Sequence, residues 1–251
     1  MRARIYIVGI GPGSREHLTP RAVEAISSSE VVIGYRPYLR QIRELLGGKR
    51  VVEAGMGEEL RRASDAVRHA LTGQRVAVVS SGDAGVYGMA SAVLEYIARK
   101  KLTVEVEVVP GITSALACAA LLGSPLGNDF AVISLSDLLV PWEEIERRLE
   151  HAVAADFVVV LYNPGSRRRS WQLGRAKEVM LRYRSPATPV GVVRNASRED
   201  ESVVLTTLGE LEALADMLTT VIVGNSRTFT YRRWMITPRG YSSKYSMEGD
   251  G

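Results

Sequence analysis

The chain has 251 residues, 46% hydrophobic and 24% charged, with a formal net charge of +4 and a single cysteine, Cys118. That balance supports a sizeable globular core and excludes an intramolecular disulfide. No apolar run approaches the ~18 residues a membrane span needs, and Met1-Arg2-Ala3-Arg4 leads straight into a strand rather than a signal peptide, so a cytoplasmic setting is expected.

Arg4 to Val8 reads as the first strand, ending in Gly9-Ile10-Gly11-Pro12-Gly13-Ser14. This is not a dinucleotide fingerprint. The third glycine of G-x-G-x-x-G would fall on Ser14, Pro12 removes an amide from the turn, and the second strand, Val31-Val32-Ile33, ends at Gly34 with no acid for a ribose. A P-loop is missing too, so nicotinamide cofactors and nucleoside triphosphates lose their usual signatures. Thr19 before Pro20 predicts an N-capped helix to Ser27. A second helical segment spans Tyr35 to Leu46, a short strand Arg50 to Glu53, and an amphipathic helix Glu58 to Leu71.

The apolar run Val76-Ala77-Val78-Val79 reads as a buried parallel strand. Ser80-Ser81-Gly82-Asp83-Ala84-Gly85-Val86-Tyr87-Gly88 follows it, with a helix from near Tyr87 to Ala98. A glycine-punctuated turn after a parallel strand is where open α/β sheets hold ligands. Asp83 accepts hydrogen bonds only, which suits ribose hydroxyls and opposes phosphate; a tight βα turn with a capping Asp explains the same residues. Val104 to Val109 is a further strand. It leads into Pro110-Gly111-Ile112-Thr113-Ser114 and an Ala-rich helix holding Cys118, read as a buried thiol. Thr113 and Ser114 are either an N-cap pair or ligand contacts.

Gly123-Ser124-Pro125-Leu126-Gly127-Asn128-Asp129 is turn-rich and aperiodic, which places a boundary there and predicts proteolytic cleavage. The expected architecture is α/β: an N-terminal domain over 1–123, a C-terminal domain with a mixed sheet over 124–241, and a flexible tail over 242–251. In the second domain the pattern restarts. Strands are expected over Phe130–Leu135, Phe157–Tyr162, Val190–Arg194, Ser202–Thr206, Thr220–Val223 and Trp234–Ile236, with helices over Trp142–Ala152 and Arg168–Tyr183.

Charge is uneven along the chain. Residues 1–160 hold 18 basic and 19 acidic side chains, whereas 161–251 hold 14 and 9. Nine basic residues and one acid, Glu178, fall between Arg167 and Arg198, and Arg is the side chain that grips carboxylates and phosphates bidentately. A solvated helix face accounts for such a block equally well. His17, His69 and His151 have no partners at metal-ligand spacing, and no metal site is expected.

Three stretches taken together, Gly9-Ile10-Gly11-Pro12-Gly13, Ser81-Gly82-Asp83 with Tyr87-Gly88, and Pro110-Gly111-Ile112-Thr113, resemble the tetrapyrrole methylases, a non-Rossmann class of S-adenosylmethionine-dependent methyltransferases. Asp83-Ala84-Gly85 departs from that family at Ala84, where Asp-Pro is mostly found. Ile133 to Trp142, Tyr162-Asn163-Pro164-Gly165-Ser166-Arg167 and Thr237-Pro238-Arg239-Gly240-Tyr241 narrow the resemblance to members that methylate a corrin precursor at C17 with ring contraction. Their substrate is precorrin-3B or, in the anaerobic route to cobalamin, cobalt-factor III.

The resemblance implies two α/β domains with the methyl donor in a cleft between them, commonly as a homodimer. It further implies that Gly11, Pro12, Gly82, Asp83, Val86, Thr113, Ser114, Asn163, Ala196 and Val223 contact S-adenosylmethionine or its product S-adenosylhomocysteine. Arg167, Arg168 and Arg194 would meet the carboxylates of the tetrapyrrole. Ser134, Asp137 and Tyr162 would move the proton that ring contraction requires, although Asp137 could instead cap the Trp142 helix. A methylase of this fold acting on another ring carbon, a protein or ribosomal RNA is the nearest alternative. An RNA-binding protein is a weaker one, since the basic block contains only Trp171 and Tyr183 as aromatics.

Overall fold

The computed structural model describes residues 3–166, 170–211 and 216–245. The chain divides into two compact units, Met1–Ser114 and Ala115–Gly251. Their division lies upstream of the turn-rich stretch at 123–129. That stretch is not an unpaired linker: Gly123–Ser124 forms a short strand within the second unit.

The first unit carries β1 (Arg4–Gly9), α1 (Pro20–Ser28), β2 (Val31–Tyr35), α2 (Arg36–Gln41), β3 (Arg50–Ala54), α3 (Glu59–Leu71), β4 (Arg75–Ser80), α4 (Met89–Arg99) and β5 (Val106–Val109). The strands lie in the order β3-β2-β4-β1-β5, all parallel. Side chains alternate across the pleat, so Ile5 and Ile7 pack with α3 and α4 while Tyr6 and Val8 pack with α1. Burial on both faces is why β1, β2 and β4 read as continuous apolar runs, whereas the edge strands β3 and β5 carry Glu53 and Glu107. Thr19 caps α1 as expected, its hydroxyl accepting the Ala22 N–H at 3.1 Å. The predicted 35–46 helix is shorter than its pattern suggests, since α2 stops at Gln41 and a single 3-10 turn follows.

In the second unit, α5 (Ser114–Leu122) runs into β6 (Gly123–Ser124), followed by β7 (Phe130–Ser134), α6 (Trp142–Ala154), β8 (Val158–Tyr162), α7 (Gln172–Leu181), β9 (Pro189–Arg194), β10 (Ser202–Thr207), β11 (Thr219–Val223), β12 (Phe229–Tyr231), β13 (Trp234–Ile236) and α8 (Tyr241–Lys244). The main sheet has the order β10-β9-β11-β8-β7. It is mixed: β7 and β8 are parallel, while β11 runs antiparallel to both β8 and β9. One face packs on α6 and α7 through Leu149, Leu161, Leu173, Met180 and Val221. On β9, a Cβ at Gly191 would stand 2.3 Å from the Leu122 side chain, so only glycine lets α5 close on the sheet there. Trp234–Ile236 does not join this sheet. It pairs with β12 and β6 in a separate three-stranded one.

Candidate active site

The carboxyl ends of β1, β4 and β5 emerge side by side, with Gly9 level with Ser80 and Val8 level with Val109. Just beyond them the chain is packed backbone to backbone. Gly82 N–H donates to Gly11 O at 2.7 Å and Gly11 N–H to Gly82 O at 3.0 Å. Both glycines are left-handed, at φ +66° and +73°. A Cβ on Gly111 would lie 2.2 Å from Gly82 O and 2.7 Å from the Gly9 carbonyl, closer than any side chain can come.

Asp83 ties this knot together. Its Oδ1 accepts the N–H groups of Gly85 at 2.7 Å and Val86 at 3.2 Å, and its Oδ2 accepts that of Gly111 at 2.9 Å. The carboxylate therefore links the loop after β4 to the loop after β5. It does not cap α4, whose first N–H, from Met89, goes to Ser80 Oγ at 2.9 Å. A carboxylate offers about four acceptor positions, so with three amides bound one is left for an incoming hydroxyl. Beside it, a Cβ on Gly82 would meet nothing nearer than Thr113 Cα at 3.6 Å, Ile112 O at 3.8 Å and Ser114 N at 3.8 Å. That is a shallow cradle walled by backbone, which any other residue would fill. Of the ten expected donor contacts, Gly11, Pro12, Gly82, Asp83, Val86, Thr113 and Ser114 thus meet at one edge of the first sheet.

The corresponding edge of the second sheet is built from side chains. β7, β8 and β9 all point the same way, and the chain leaves β8 and β9 through Asn163 and Asn195, both left-handed at φ +52°. Asparagine tolerates that conformation better than most residues. Asn163 Nδ2 donates to Ser134 Oγ at 2.9 Å, which also receives the Ser136 N–H at 3.2 Å. Tyr162 Oη accepts the Ala115 N–H at 2.7 Å, in the first turn of α5. Asp137 is not the cap of α6, where Pro141 occupies the N-cap; its Oδ2 receives Gln172 Nε2 at 3.2 Å. Ser134, Asp137, Tyr162, Asn163 and the buried Ala196 therefore share this edge.

Val223 does not. Because β11 runs antiparallel, Val223 pairs with Val159 and Val190 at the opposite end of the sheet, where it is fully buried. At the other end of β11, Thr219 lies level with Arg194 and donates its hydroxyl to Asp216 Oδ1 at 2.9 Å. Nothing local in a strand's sequence encodes its direction.

Arg194 is already occupied by carboxylates, Asp216 through Nε at 3.0 Å and Asp200 through Nη1 at 3.1 Å. Partial burial pushes the Asp216 carboxyl up, but the Leu218 N–H and the Arg194 guanidinium outweigh it and hold it below the usual carboxylate range. Arg175 pairs with Glu146 and Glu178, and Arg184 with Asp156. Much of the basic block is thus neutralised within the unit. Arg167 and Arg168 lie outside the described residues.

Burial pushes the Cys118 thiol up to about 11, which rules it out as a thiolate nucleophile near neutrality. His17 bonds Ser14, His69 bonds Gln74, and His151 bonds the Arg147 carbonyl. Among the described residues, no three His, Cys, Asp or Glu side chains stand where they could share a metal ion, and no helix is long and apolar enough to cross a membrane.

Residues 4–212 match the family model described as Tetrapyrrole (Corrin/Porphyrin) Methylases. The chain is 51% identical to a cobalt-factor III methyltransferase of Priestia megaterium over 98% of its own length and 47% of the relative's, so it spans about half of that protein. It is 48% identical to a probable cobalt-factor III C(17)-methyltransferase of Salmonella typhimurium, covering 95% of this chain and 99% of that one. Among solved structures, the methyltransferase CobJ superposes with a TM-score of 0.89 at 36% identity, covering 94% of this chain and all of that one. A uroporphyrin-III C-methyl transferase from Thermus thermophilus, complexed with S-adenyl homocysteine, superposes with a TM-score of 0.68 at 27% identity, covering 88% and 97%.

Proposed function

The chain belongs to the tetrapyrrole methylase family, and from that premise we propose that it transfers a methyl group from S-adenosylmethionine to C17 of cobalt-factor III, or of its metal-free counterpart precorrin-3B, with contraction of the macrocycle. The observation that carries the donor half is the Asp83 clasp beside the Gly82 cradle. It offers one open carboxylate position for a sugar hydroxyl, a wall of backbone polar atoms, and no side chain in the way. The relative solved with S-adenyl homocysteine supports the same ligand class. The acceptor half is supported by the names of the two curated relatives. Cobalt, where present, arrives as part of the substrate.

The donor supplies an electrophilic methyl group on a sulfonium, whose positive charge disperses as the bond to carbon forms. Such a displacement needs alignment and a shielded site more than a strong base. Gly11, Pro12, Gly82, Thr113 and Ser114 hold the donor against backbone, and Asp83 fixes its ribose. Arg167 and Arg168 attract the acetate and propionate groups of the macrocycle, whereas the doubly paired Arg194 contributes little to that attraction. Ser134, Asp137 and Tyr162 serve the proton movement of ring contraction.

Labelled S-adenosylmethionine offered with cobalt-factor III, uroporphyrinogen III or generic RNA tests the reading. Label entering cobalt-factor III alone is expected; label entering uroporphyrinogen III or RNA instead overturns it. Replacing Arg167 and Arg168 together by Glu should raise KM for the tetrapyrrole at least tenfold while calorimetric S-adenosylhomocysteine affinity stays put.

A further inference from the structure

Gln172 has no place in the roles above, yet its surroundings are unusual. It opens α7, is 1% exposed, and donates Nε2 to Asp137 Oδ2 at 3.2 Å across 35 positions of sequence. Its other amide atom, Oε1, is buried with no hydrogen-bond partner. An unmatched buried carbonyl lowers stability, and Met or Leu would fill the same volume without that cost. Packing alone therefore does not account for Gln here.

The helix start that presents it is firmly held. Trp171 meets Trp142 edge to face with ring centroids 4.8 Å apart, Trp142 Nε1 donates to Glu146 at 2.9 Å, and Arg175 binds Glu146 at 3.0 Å. On the other side of the bond, Asp137 begins a stretch whose next two residues, Leu138 and Leu139, are 77% and 97% exposed. The amide thus joins a packed platform to a carboxylate whose next two residues face solvent. A neutral N–H donor suits that task, because it fixes the carboxylate's direction without adding a charge that would compete with the substrate's own carboxylates.

We propose that Gln172 is a positioning residue for the C17 reaction, holding the Asp137 carboxylate in the orientation it needs at the macrocycle. This rests on the reading of Asp137 as a proton-handling group in that reaction. Its role is to act through Asp137, so the two residues should be coupled in kinetics but not in folding.

Full-chain variants Gln172→Met, Asp137→Asn and the pair are assayed with saturating S-adenosylmethionine and cobalt-factor III, alongside thermal melting and S-adenosylhomocysteine calorimetry. Gln172→Met is expected to melt at or above the parent temperature, to bind S-adenosylhomocysteine as the parent does, and to lose at least tenfold in kcat. The pair should be no slower than Asp137→Asn alone, the mark of two groups acting as one. Parental kcat in Gln172→Met, or losses that multiply in the pair, would overturn the inference. So would a Gln172→Met chain that melts well below the parent, which would make the residue structural. Parental kcat in Asp137→Asn leaves Gln172 nothing to position, while the methyltransferase reading stands on the methyl still transferred. A parent chain inert on both cobalt-factor III and precorrin-3B removes both.

Discussion

The two sheet edges that carry the site residues are made of different material. The first is backbone: four glycines in contact, paired amides, and one carboxylate holding three N–H groups. The second is side chain: Ser134, Asn163, Tyr162, Asp137 and Gln172 bonded to one another or to the backbone beneath them. A backbone edge tolerates little change and suits a ligand that is the same in every member of a fold family. A side-chain edge can be rewritten residue by residue, which suits a substrate that differs from member to member. On the function proposed above, the donor would belong to the first edge and the particular tetrapyrrole to the second.

The sharpest way to break that contrast is Gly111→Ala. The new methyl would sit 2.2 Å from Gly82 O with backbone on every near side, so relief requires the three loops to separate. Overpacking of that kind costs about 3 kcal/mol, and S-adenosylhomocysteine affinity should fall beyond measurement by calorimetry even in molecules that remain folded. A chain that binds normally would show that the knot is incidental to the donor. Asp83→Ala comes next: losing its charge-assisted bonds should weaken S-adenosylhomocysteine by about 1–3 kcal/mol, and an unchanged affinity would deny the clasp any part in the donor site.

Arg194→Ala is expected to do much less. Its guanidinium is partly exposed and already shared between Asp200 and Asp216, so neither tetrapyrrole KM nor melting temperature should move appreciably. A tenfold rise in KM would mean that the ion pairs open for substrate. The smallest effect is on acid stability. For Asp156 and Asp216 partial burial pushes the carboxyl up, but hydrogen bonds and neighbouring arginines hold both below the ordinary range. A depressed folded value contributes stability that is fully present above about pH 4 and is lost as pH falls through the folded values. Denaturant unfolding followed between about pH 2 and 6 should therefore show a shallower acid-side decline in Asp216→Asn than in the parent.

How much of this was legible beforehand follows the same contrast. The parallel first sheet could be read from Val76–Val79 and its sister runs, and α1 from Thr19-Pro20, because burial on two faces and helix capping leave local marks. The loops at its edge were legible as glycine clusters. That Asp83 binds Gly111, 28 positions away, was not, since it depends on which strands become neighbours. In the second unit the polar residues stood out, but the direction of β11 did not, and with it the fact that Val223 ends its strand away from Asn163 and Ala196. The Arg-rich block was legible only as a count: composition counts charges, whereas the fold decides that Arg175, Arg184 and Arg194 meet Glu146, Asp156 and Asp216.

One measurement bears on the whole reading at once. The parent chain is turned over with carbon-13 methyl S-adenosylmethionine and cobalt-factor III and, in a parallel reaction, precorrin-3B, and the products are assigned by nuclear magnetic resonance. The reading predicts the label on C17 of a contracted macrocycle, with one S-adenosylhomocysteine released per methyl group; label on another carbon, or none transferred, would contradict it.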